Sequence, residues 1–162
     1  KIVGESTNPV LLYAVETCLQ LTLAELNENL REIYVEAYTV PENIELIHKK
    51  TAVQLQKIFA PYLPDYSASD FYEMEIGTSA FMRGYMARPC DMYFTLERKL
   101  ARFLSMSLSV FKVPQEEQEA IQNLYGLSSN TKFVSQKDND EAYLNRVVDE
   151  LLESYLTRKL TK

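Results

Sequence analysis

The chain has 162 residues, 46% hydrophobic and 25% charged, the balance of a single folded domain and not of a disordered or fibrous chain. Seventeen Lys and Arg stand against 23 Asp and Glu, for a net charge of -6; such a surface repels phosphate and excludes nucleic-acid binding by this segment alone. With only 4 Gly and 6 Pro, long helices are favoured over a turn-rich β architecture.

Helix signals run the length of the chain. Asn8-Pro9 reads as a cap with proline at the first helical position. Residues 1–8 are expected to be the tail of a connection. Leu12, Leu19, Leu26 and Ile33 then repeat every seven residues, beside Leu23, Leu30 and Ala37. That pattern predicts one long helix, or two with a bend near 27–29, ending before Pro41. A helix over 42–60 has the inner face Ile44, Ile47, Thr51, Leu55 and Ile58, and Pro61 and Pro64 end it. The next, over 71–86, is capped by Ser69 or Asp70 and stopped near Pro89. A helix over 93–111 turns Leu96, Leu100, Phe103, Leu104, Leu108 and Phe111 inward. Pro114-Gln115-Glu116-Glu117 opens a short helix with acidic residues at its positive end, and Gly126 is a natural C-cap. Residues 128–138 read as a polar loop. The last helix, 139–158, carries Leu144, Val147, Val148, Leu151, Leu152, Tyr155 and Leu156. The expected fold is all-α, an orthogonal or antiparallel bundle of about six or seven helices in one domain.

Catalytic and metal motifs are missing. His48 is the one histidine, so sites built on paired histidines cannot form. There is no Gly-rich phosphate loop and no Gly-x-Ser-x-Gly elbow. No metal and no cofactor is expected, and His48 reads as a hydrogen-bonded core or pocket-lining residue. Cys18 and Cys90 are far apart and in no motif, which points to a reducing, cytoplasmic setting without disulfides. No uninterrupted apolar stretch approaches the roughly 20 residues that span a bilayer.

The segment 71–86 is the richest. Wound as a helix, it places Phe71, Met74, Thr78, Phe81, Met82 and Tyr85 on one broad stripe. Tyr72, Ile76 and Ala80 form a second apolar strip, and Gly77, Ala80 and Gly84 a smooth seam. A helix apolar on most of its circumference is central and buried, and this mixture of Met, aromatic and small residues also builds pliable ligand cavities. Polar atoms on apolar bodies at Tyr34, Tyr38, His48, Thr78 and Tyr85 can orient a mostly apolar molecule. Tyr34, Tyr38, His48, Phe71, Met74, Thr78, Phe81, Met82, Tyr85 and Phe103 are therefore the candidate pocket lining, between the helices over 42–60, 70–86 and 93–111. Arg83 either faces that cavity or pins its helix to a neighbour. The faces carrying Leu100, Leu104 and Leu108, and Leu144, Val148, Leu151, Leu152 and Tyr155, are candidates for a four-helix interface between two copies of the chain, or else close its own core.

The strings FYEMEIG (71–77), MRGYM (82–86) and PCDMYFTLE (89–97), with NPVLLYAVE (8–16) and VPQEE (113–117), resemble the C-terminal regulatory domain of tetracycline-repressor-like (TetR family) transcription factors. The resemblance implies a non-enzymatic, homodimeric, all-helical domain that senses a small, mostly apolar effector. It implies DNA contact only through an N-terminal helix-turn-helix that this chain does not include. An effector in the cavity then shifts the spacing of the two DNA-binding heads. The alternative is a helical protein-interaction or scaffold domain without a ligand, marked by a filled core and an exposed apolar patch.

Overall fold

The computed structural model describes residues 8–124 and 126. Across them the protein is all-α, with six α-helices, one 3-10 turn and no strand. The predicted helix over 139–158, with Leu144, Val148, Leu151, Leu152 and Tyr155, lies outside the described residues.

Local chemistry sets the boundaries. Helix α1 (Pro9–Leu26) starts on Asn8, whose side chain accepts the Val10 N–H at 2.9 Å. Asn27 ends it with an extended backbone, and its side chain accepts the Leu30 N–H to open α2 (Glu28–Ala37). One asparagine thus makes the bend that the heptad pattern anticipated. Helix α3 (Pro41–Phe59) runs into a 3-10 turn (Ala60–Tyr62) at Pro61. Helix α4 (Ala68–Ala87) starts earlier than expected, on a capping box in which Ser67 and Asp70 satisfy each other's backbone N–H groups. Helix α5 (Leu96–Val110) starts later, on Thr95. Before it, the Asp91 carboxylate accepts the N–H groups of both Tyr93 and Phe94 at 2.8 Å, which holds those residues in a turn. Lys112, at φ 54, makes the left-handed step into α6 (Gln115–Leu124).

Helices α1 and α4 are central to the fold: α1 packs against α2, α3, α4 and α5, and α4 against α1, α2, α3 and α5. Helix α1 is also long and apolar enough, by length and composition, to cross a membrane. Here Val10, Tyr13, Ala14, Thr17, Cys18, Leu19, Leu21, Thr22 and Ala24 are buried against its neighbours. In the core Phe59 stacks on Phe111 at 4.1 Å, and the Tyr13 ring meets both edge-on.

Two expectations change. Leu100, Leu104 and Leu108 were candidates for contact with a second copy or for closing the chain's own core, and all three are buried in that core beside Phe103 and Phe111. Second, α4 is not buried all round. Phe71, Glu75, Thr78, Ser79, Met82 and Met86 point inward, while Ile76, Gly77, Ala80, Arg83 and Gly84 are exposed. A Cβ added at Gly77 or Gly84 would meet nothing within 4 Å. A charge also sits in the interior. The Lys99 side chain is 1% exposed; its Nζ donates to Glu25 Oε2 at 2.7 Å and to the Arg88 carbonyl. Glu25 also accepts the Cys90 N–H at 2.9 Å. This network ties the end of α1 to the α4–α5 connection.

Candidate functional site

A cavity of about 590 Å³, open on one side, lies between α1, α3 and α4. Its floor consists of the buried Tyr13 and Thr17 from α1, Leu55 from α3, Glu75, Thr78, Ser79 and Met82 from α4, and Phe103 from α5. Tyr38, Gln20, Thr51 and Ile58 form half-buried walls. Glu16, Lys49, Lys50, Val53 and Gln54 stand exposed at the mouth.

The periodicity of α4 explains the polar floor. Glu75, Thr78, Ser79 and Met82 recur at spacings of three and four, so they share the face turned toward α1 and α3. Thr78 Oγ1 donates to Glu75 Oε2 at 2.8 Å. No cation among the described residues stands at ion-pair distance from that carboxyl. Burial pushes Glu75 up to about 7, and the Thr78 hydrogen bond only partly opposes it. Burial, and then the nearby Glu75 charge, push the Tyr38 hydroxyl up to about 12. The Tyr13 hydroxyl is also raised by burial, against a hydrogen bond from Ser107, with Glu75 adding to the rise.

The ten candidate lining residues separate into three groups. Tyr38, Thr78, Met82 and Phe103 line the cavity. His48 stands one step behind it, with Nε2 2.9 Å from the Oγ of the lining Ser79. The other five lie elsewhere. Phe71 is fully buried against Tyr66, and Met74, Phe81 and Tyr34 pack half-buried on the core. Tyr85 donates to Met106 Sδ and meets Phe103 edge-on, on the α5 side of α4. Arg83 faces away from the cavity, and its Nε donates to Thr39 Oγ1 at 2.9 Å, tying α4 to the corner between α2 and α3.

The His48–Ser79 distance is short enough for nucleophile activation, but the hydroxyl has a second acceptor. Ser79 Oγ also reaches the Ile76 carbonyl at 3.1 Å; when its proton goes there, the imidazole in the Nε2–H tautomer donates to Ser79. In the middle of a helix the neighbouring backbone N–H groups are bonded within the helix, and none is left to stabilise an oxyanion. The pair is a strut between α3 and α4.

The candidate lining named no residue of α1, although Tyr13 and Thr17 line the cavity, and it did not include Glu75. Among the described residues no group of His, Cys, Asp and Glu is arranged to hold a metal ion. No known family model matches the chain, and no curated protein or solved structure shows significant similarity to it.

Proposed function

We propose that this chain is a small-molecule sensor domain whose ligand occupies the cavity between α1, α3 and α4. The observation that carries the reading is the cavity itself, about 590 Å³, within the range of small-ligand sites. Its lining surface is more apolar than polar and includes polar groups of Tyr38, Glu75 and Thr78, the composition expected where orientation and specificity come from a handful of groups. The resemblance to tetracycline-repressor-like regulatory domains supports the same role, and with it a second copy of the chain and a DNA-binding domain outside this segment. In that reading the ligand acts by favouring one arrangement of the helices around α1.

The chain contains no tryptophan, so an introduced indole is a clean reporter. Val53 is exposed at the cavity mouth, and Leu124 is exposed on α6. The neutral probe N-phenylnaphthylamine is expected to bind at one saturable site and to shift the indole emission of Val53→Trp while leaving that of Leu124→Trp unchanged. Equal shifts at both positions, or no saturable binding of this probe or of charged probes of similar size, overturns the proposal.

A further inference from the structure

We infer, building on the sensor reading above, that the ligand class is a lipophilic organic monocation, held with its charge against Glu75 and its apolar body against the rings of Tyr13, Tyr38 and Phe103. The argument starts from an imbalance. Glu75 is 3% exposed and lines a cavity, yet the hydrogen bond recorded for its carboxylate comes from its own helix, from Thr78. Buried carboxylates are ordinarily paired with a cation, because the isolated charge is strongly penalised. The neighbouring buried pair shows the difference: Lys99 answers Glu25 at 2.7 Å, whereas Glu75 has no such partner among the described residues. A bound cation supplies it.

The walls suit the same occupant. Organic cations are attracted to aromatic rings, and Tyr13, Tyr38 and Phe103 are among the lining residues, with Tyr38 the more accessible of the three. The charge of Glu75 reaches both tyrosines, whose hydroxyl protons it helps to retain. Neutral phenols then present an apolar body and a hydrogen-bonding tip.

The other charged groups around the cavity stand at its mouth. They are Glu16 from α1, and Lys49 and Lys50 from α3. Lys49 is occupied by Glu45 at 3.0 Å. The cap at the end of α2 adds Tyr38, and α5 adds the uncharged Phe103. His48 is separated from the cavity by Ser79. The deep position therefore carries a single ionisable carboxyl, and cation binding is linked to its deprotonation.

The test uses three fluorescent probes on the full chain: dimethylaminostyryl-N-methylpyridinium (a monocation), N-phenylnaphthylamine (neutral) and anilinonaphthalene sulfonate (an anion). The monocation is expected to bind the wild-type chain most tightly. Its affinity should fall about tenfold per pH unit once the pH drops below about 7. Glu75→Gln, which keeps shape and removes charge, is expected to weaken the monocation about 30-fold or more, abolish the pH dependence, and leave the neutral probe within about twofold. Tight neutral binding with no preference for the cation, or cation binding unaffected by Glu75→Gln, overturns the charge assignment while leaving the sensor reading intact. Failure of all three probes overturns both.

Discussion

Thr78 Oγ1 donates to Glu75 Oε2 at 2.8 Å, within the same turn of α4 and at the bottom of the cavity. This bond lowers the pKa of a carboxyl that burial has pushed up to about 7. The interval from the ordinary 4.5 to about 7 corresponds to a cost of about 3 kcal/mol for holding the carboxylate ionised in the empty fold. The folded state binds the proton more tightly than the unfolded chain. Stability is therefore greatest at and below about pH 4.5 as far as this group is concerned. It declines as the pH rises toward about 7 and is flat above that. Urea unfolding of Glu75→Gln should show about 2–3 kcal/mol of added stability at about pH 8, with the slope between those limits removed. In Thr78→Val the upper limit of the slope should move to higher pH. A Glu75→Gln variant less stable than the wild type at about pH 8 would disprove this account.

Lys99 is the fully buried cation. Replacing it by Met removes the partner of Glu25 and the donor to the Arg88 carbonyl, and should cost about 3 kcal/mol. Burial pushes Glu25 up, but the hydrogen bonds from Lys99 and the Cys90 N–H outweigh it and leave the carboxyl below its usual value. Its contribution is thus present above about pH 4.5 and is lost as the pH falls through the lower folded value. Thermal unfolding of Lys99→Met against wild type checks both claims, since the variant should lose that acid-side dependence as well as stability.

The His48–Ser79 strut makes a smaller prediction. Ser79→Ala removes the hydrogen-bond partner of a half-buried imidazole and should destabilise by about 1 kcal/mol. A double-mutant cycle with His48→Ala measures the coupling. A coupling near zero would mean that the contact holds nothing.

The exposed strip of α4 can be tested by adding to it. Gly77 and Gly84 are helical, and a Cβ at either meets nothing within 4 Å. Each change to Ala should stabilise the isolated chain by about 0.8–1 kcal/mol through helix propensity. Sedimentation run alongside separates another case: if a second copy packs on this seam, the substitutions should shift the association equilibrium.

Much of this architecture was legible in the sequence, and the reasons are local. Asn8-Pro9, the asparagine at 27 and the prolines at 41 and 61 punctuate the chain where the helices stop and start, because caps and prolines act through neighbouring backbone. The inward residues of α5 were read correctly as inward, yet the sequence left open whether they face the chain's own core or a second copy. Periodicity reports which side of a helix is apolar but not whose surface covers it. The cavity was half visible for the same reason. Tyr38, Thr78, Met82 and Phe103 line it, whereas Phe71 and Tyr85 share their helix stripe but turn toward different neighbours. The α1 wall depends on partners distant in the chain and the Lys99 ion pair on residues 74 positions apart, and helical spacing carries no information at that range.

Helix α1 serves two places at once. Thr17 lines the cavity, and Glu25 holds Lys99; eight residues of helix put them about 12 Å apart along one stiff rod. A single helix therefore carries both a wall of the cavity and the carboxylate that answers the buried lysine, so a substitution that displaces α1 at Thr17 is expected to be felt at the Lys99–Glu25 pair as well.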